Sequence, residues 1–172
     1  VEEGTLAPSE RVELLEGVVV SMSPQNPRHA SAVRYVSDAI REVIGARAVL
    51  SVQLPILLGK FSAPEPDIAV LPGTKAQYVT AHPTTALLAV EVADSSLAQD
   101  RLTKTRLYAA AGIPEVWIIN LRDNCVEVYR DPAPTTRTYH DTVNYRAGAH
   151  LTIQAFPDTP LAVSELLPPL AE

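Results

Sequence analysis

The sequence predicts an α/β (α+β) fold, a β-sheet with a helix on each side, in a single domain over residues 1–172. Three observations predict it. DIAVLP (67–72) and ALLAVEVA (86–93) are short and apolar at nearly every position, the pattern of strands covered on both faces. Before and after them, residues 28–44 and 94–112 carry apolar side chains at helical spacing. The order of strands, helix, central strands, helix and further strands then places a helix on each side of one sheet.

Composition bounds the function. Hydrophobic residues make up 47% and charged residues 20%, so a chain of 172 residues can bury a sizeable core and does not have the composition of disorder. No apolar run approaches the roughly 20 residues that cross a bilayer. The single cysteine, Cys125, excludes a disulfide within these residues and a cysteine-based zinc site, and a reducing, cytoplasmic compartment is expected. The net charge of −6 weighs against a broad electrostatic grip on nucleic acid. It leaves room for a local basic surface, a bound metal or a second subunit.

Each element has its own signal. VEEGTLAPSE (1–10) is polar and reads as a flexible arm or a short helical start. RVELLEGVVVSM (11–22) reads as two β segments around a Glu16-Gly17 turn. After the loop SPQNPRH (23–29), a helix runs from Arg28 to Ile44 through Ala32, Val33, Val36, Ala39, Ile40 and Val43, and Gly45 closes it. ARAVLSVQLPILL (46–58) reads as a strand bent at Pro55, and GKFSAPEPD (59–67) as a connection. Strand 67–72 has an acid at its head, and GTKAQYVTAHPTT (73–85) is a turn-rich excursion before strand 86–93. DSSLAQDRLTKTRLYAAAG (94–112) opens on capping residues and stops at Gly112, as a helix does. IPEVWIINL (113–121) and CVEVYR (125–130) are expected to pair across Arg122-Asp123-Asn124. RTYHDTVNYRAGAHLTI (137–153) reads as a further hairpin near an edge, and LAVSELLPPL (161–170) as a short closing helix.

Glu91 raises the question of chemistry, because an ionised carboxylate inside an apolar strand needs a partner or a metal. Asp67 is a candidate companion. It follows Pro66, which belongs at the head or edge of a strand because it has no N–H to donate. If strands 67–72 and 86–93 are neighbours, the two carboxylates share a face and repel, and a divalent cation relieves them. Asp100, Lys104 and Tyr108 are spaced i, i+4, i+8 on one face of the following helix. An ammonium there can orient a metal-bound water or meet charge growing on a phosphate. Glu13 is a fourth candidate.

Each of these residues also has a plainer use. Glu91 can pair with an interior base such as Lys104, and Asp67 can be a turn residue after proline. Lys104 can be a surface lysine bonded to Asp100, and Glu13 a solvated strand residue. His29, His82, His140 and His150 form no metal-spacing motif, and His29 reads as a surface histidine at a helix start. Cys125 is expected to be buried and inert, and Trp117 and Tyr129 to pack within the sheet. No GxSxG or GxxxxGK[ST] motif is present.

Taken in order, VELLEG, PRHA, PDIAV, VEV, a helix carrying Lys104, and LYAAAGIPEVWIIN resemble the Uma-type family of restriction-endonuclease-like proteins, within the PD-(D/E)XK nuclease superfamily. The likeness covers roughly residues 10 to 165. It implies a restriction-endonuclease-like core and a metal-dependent endonuclease that hydrolyses phosphodiester bonds in DNA, working as a homodimer. By this likeness Asp67 matches the aspartate of the PD motif, Glu91 the second acid, and Glu13 the early acid of the metal site, with Mg²⁺ or Mn²⁺ as the ion. The superfamily's usual lysine position holds Ala93, and Lys104 matches the lysine that the Uma-type family takes from the following helix. Asp94-Ser95-Ser96-Leu97 departs from the Ser-Pro-Ser-Thr that often follows the second acid. The alternatives from other classes are a noncatalytic nucleic-acid-binding or protein-interaction module on the same fold, and a purely structural oligomer.

Overall fold

Short apolar segments punctuated by turn residues organise the chain, and the computed structural model describes residues 11–22, 25–94 and 100–169. The polar arm 1–10 and the capping stretch 95–99 expected to open the second helix lie outside the described residues. β1 (Val12–Leu15) and β2 (Val18–Ser21) pair antiparallel with Leu15 opposite Val18. Glu16 and Gly17 between them have φ of 51° and 85°. Positive φ at both central residues is what a tight I′ hairpin turn requires.

α1 (Pro27–Ile44) starts on a proline whose missing N–H would have no helical partner in any case. Asn26 caps it, its side-chain oxygen accepting from the His29 amide at 2.9 Å. Gly45 ends it at φ 52°, donating its N–H to the Arg41 carbonyl. One face of α1, through Ala32, Val36, Ile40 and Ile44, is buried against the sheet.

That sheet has six strands in the order β3 (Val49–Val52), β4 (Ile68–Leu71), β5 (Leu88–Ala93), β6 (Glu115–Asn120), β7 (Cys125–Ala133) and β8 (Thr138–Arg146). Neighbours run antiparallel except β5 and β6, which are parallel. A parallel pair needs a crossover. Here it includes a wide, π-type turn over Asp100–Lys104 that continues into α2 (Thr105–Ala110). Alternate residues sort the strands into two layers. Ile68, Val70, Leu88, Val90, Trp117 and Ile119 pack toward α1. Ala69, Leu71, Ala89 and Val116 pack toward Tyr108 and Ile113.

β9 (His150–Ile153) and β10 (Phe156–Ala162) form a separate antiparallel pair, followed by the one-turn α3 (Val163–Leu166). Leu151, Ile153, Phe156, Leu161 and Leu166 join the core that α1 covers.

Four expectations change. The stretch 137–153 is not a hairpin: β8 runs alongside β7 for its full length, Cys125 opposite Arg146 and Ala133 opposite Thr138. The chain then turns at Gly148, φ 94°, and Leu151 and Ile153 find their cover on the α1 side. The pair 113–130 forms as expected, as β6 and β7 inside the sheet, and β8 and β3 are the edges. The strand expected over 46–58 is confined to Val49–Val52, since Gln53 takes φ 52° and breaks the extended run. The α-helical part of the second helix is Thr105–Ala110, and α3 stops ahead of Pro168 and Pro169, which cannot continue a helix.

Candidate active site

β4 and β5 are paired with Ile68 opposite Val90, and one more step of that register sets Asp67 opposite Glu91. Side chains alternate along a strand, so Glu91 lies on the same face as Ala89, toward α2. Glu91, Glu13 and Lys104 are 3%, 5% and 6% exposed, which makes their mutual arrangement decisive.

Lys104 Nζ donates to Glu91 Oε2 at 3.1 Å and lies 3.3 Å from Glu13 Oε2. Tyr108, fully buried one helical turn further on, donates its hydroxyl to Glu91 Oε1 at 2.6 Å. Glu13 Oε2 also accepts the Glu65 amide at 3.2 Å, tying β1 to the segment that leads into β4. The ion pair expected as the plainer use of Glu91 is therefore present. It sits inside the constellation expected for catalysis, and Glu13 is buried within it.

Asp67 occupies the end of β4, where groups from several elements reach it. Its Oδ2 accepts the Val92 amide at 2.8 Å and lies 3.2 Å from His29 Nε2, while Oδ1 accepts from Gln53 Nε2 at 3.2 Å. Burial pushes its carboxyl upward, but the His29 hydrogen bond and charge, the Val92 amide and the Lys104 charge outweigh this and hold it below the usual carboxylate range. His29 is thus a partner of Asp67, not the surface histidine the sequence suggested. α1 begins beside the sheet end, and its first turn carries the ring there.

Next to this, Asn26 Nδ2 donates to Asp94 Oδ2 at 2.9 Å, and Arg28 donates to the Leu121 carbonyl at 2.6 Å. Asp94 is therefore tied to the start of α1. Asp100, placed on the Lys104 face from spacing, has a side chain outside what the structure describes.

Among the described residues, no three His, Cys, Asp or Glu side chains converge on one point. The donors at hand are two carboxylates on adjacent strands. Oxygen donors suit a hard cation, and Mg²⁺ is commonly held by one or two carboxylates plus substrate phosphates and water. Asp67 and Glu91 fit that requirement in kind and in number.

A six-stranded mixed sheet with a helix on each face thus carries two acids and a lysine, Glu13, Glu91 and Lys104, in mutual contact beside its central strands. The chain belongs to the Uma2 family, described as "Putative restriction endonuclease", whose profile matches residues 3–164. Its fold is similar to the crystal structure of "a putative nuclease belonging to DUF820" from Anabaena variabilis ATCC 29413. That likeness has a TM-score of 0.75 at 18% identity, over 96% of this chain and 94% of that one. No functionally curated protein matches the chain. No described helix is long and apolar enough to cross a membrane.

Proposed function

We propose that the protein is a metal-dependent endonuclease that hydrolyses phosphodiester bonds in DNA. The observation that carries the proposal is Lys104 Nζ, 3.1 Å from Glu91 and 3.3 Å from Glu13, on the sheet end where Asp67 is held. Asp67 and Glu91 would hold Mg²⁺ or Mn²⁺, with Glu13 completing the acidic group. Such an ion supplies a water of lowered pKa and polarises a phosphoryl oxygen.

The chain's own groups do the rest. Tyr108 and Lys104 fix both oxygens of Glu91. His29, Gln53 and the Val92 amide fix Asp67 in its ionised form. The Lys104 ammonium has three N–H donors on a flexible stem and can turn one toward charge growing on phosphate. In the same proposal the enzyme works as a homodimer, one copy per DNA strand, in the reducing cytoplasm that a lone buried thiol suits.

The test is cleavage of a labelled DNA duplex, with an RNA duplex alongside, in Mg²⁺ or Mn²⁺. Asp67→Ala, Glu91→Ala and Lys104→Ala should each slow cleavage by about 10²-fold or more, the scale of losing a group that meets transition-state charge. An inactive parent, or three variants as fast as the parent, sinks the proposal.

One observation favours a second reading, a noncatalytic module. Lys104 already bridges two of the three acids, so part of the acidic group is neutralised without an added ion. Calorimetric titration separates the two: heat from Mn²⁺ that is lost in Asp67→Ala supports the enzyme, and no heat at millimolar metal supports the module.

A further inference from the structure

A second polar row lies on the same sheet face as Glu91 and has no part in the mechanism above. Along the register Glu91 is opposite Ile118, and Ile118 is opposite Glu127, so the two acids lie in one row two strands apart. At about 4.8 Å per strand that is ~10 Å. Glu127 is 2% exposed and gathers donors from three directions. Arg101 grips it in a fork, Nε to Oε2 at 2.8 Å and an Nη2 contact to Oε1. Asn120 Nδ2 donates to Oε1 at 2.7 Å and the Tyr129 hydroxyl to Oε2 at 2.9 Å. Asn120 is itself fully buried, and its Oδ1 accepts the amides of Arg122 and Asp123, so the base of this row is a rigid β-turn.

Arg101 and Lys104 are the second and last residues of the wide turn over Asp100–Lys104. Such turns have poorer backbone geometry than an α-helix and persist where side chains hold them, often at functional sites. This one is held at both ends by an ion pair to a buried carboxylate: Arg101 on Glu127 of β7, Lys104 on Glu91 of β5. The Thr105 hydroxyl also donates to the Arg101 carbonyl, closing the turn between the two anchors.

We infer that Arg101 is a positioning residue, and that its grip on Glu127 sets the turn which delivers Lys104 to Glu91 and Glu13. Its consequence for turnover rests on the role proposed for Lys104; its consequence for the placement of Lys104 does not. A bidentate fork fixes direction as well as distance, which a lysine in the same place does only in part.

The chain has three lysines, Lys60, Lys75 and Lys104, and the first two are exposed, so they report on reagent access within the same molecule. The experiment is brief acylation of the intact protein with acetic anhydride, read by peptide mass spectrometry. In the parent, Lys104 should react at least about tenfold more slowly than Lys60 and Lys75, and in Arg101→Met its protection should fall by about tenfold, as local opening of a held segment requires. Arg101→Lys should recover part of the protection. Unchanged protection of Lys104 in Arg101→Met overturns the inference, even if the melting temperature falls, because that result describes a residue that only stabilises the fold. The same preparations are assayed for cleavage. An active parent should show kcat lowered about tenfold in Arg101→Met with KM within about twofold. A parent with no activity ends the nuclease proposal, and the labelling result then decides the placement of Lys104 on its own.

Discussion

Glu91 is the residue on which the others depend. One of its oxygens takes the Lys104 ammonium and the other the Tyr108 hydroxyl, from two side chains four apart in the crossover. Tyr108→Phe keeps the ring packed against Ala89 and Val116 and removes only the hydroxyl. The bond lost is one to a charged, buried group, so we expect about 1.5–3 kcal/mol less stability in urea unfolding. Cleavage should also slow, because one side of Glu91 is released. A variant as stable as the parent would show that this hydroxyl does not hold Glu91. The sequence showed that Lys104 and Tyr108 share a helical face, but not that both point at one carboxylate. His29 was harder to find. Its signal was a histidine at a helix start within PRHA, one of the motifs that carry the family resemblance, and whether it meets Asp67 depends on where α1 begins relative to the end of β4, which no local pattern fixes.

At the scale of elements, the wide turn, the β6–β7 turn and β7 are joined through Glu127. Burial raises the tendency of this carboxyl to take a proton, but the hydrogen bonds from Arg101, Asn120 and Tyr129 prevail and its pKa lies below the usual glutamate value. A group whose pKa is depressed on folding stabilises the protein above its unfolded pKa, about 4.3 for glutamate, and loses that contribution as pH falls through the lower folded value. Asp67 is shifted the same way and adds to the effect. Urea unfolding followed from pH 6 downward should therefore show stability dropping below about pH 4.5, and Glu127→Gln should flatten part of the drop. An equally steep drop in Glu127→Gln would assign the loss to other carboxylates. The central strands were legible at this scale because β4 and β5 are apolar on both faces, and α1 because its stripe has a clear period and caps. The second helix was not, since Asp100–Lys104 reads as helical while its backbone is wider. The hairpin expected over 137–153 failed for a different reason. Alternation marks strands but does not say which strand pairs with which, and Leu151 and Ile153 were claimed by the core under α1.

For the whole molecule, the mixed sheet has two edges, and β8 is the long one, nine residues with its side chains mostly exposed. An open edge offers a row of backbone donors and acceptors to a second strand. We expect light scattering to give twice the chain mass, 2 × 18.5 kDa, at micromolar concentration. A strict monomer would remove the homodimer from the proposed mechanism. The fold class was readable from the sequence because the number and order of apolar segments left few ways to cover them. The placement of the edges was not, because it depends on the register between strands far apart along the chain.

Among the described strand neighbours of the six-stranded sheet, only β5 and β6 run parallel, so the backbone must travel back over the sheet before β6 can begin. That return path is the segment bearing Lys104 and Tyr108. The ammonium is thus leashed to Glu91 by thirteen residues of its own chain. A covalent leash of this length holds an amine beside the carboxylate at an effective concentration of about millimolar or above. The topology that makes the sheet mixed also stocks its chemistry.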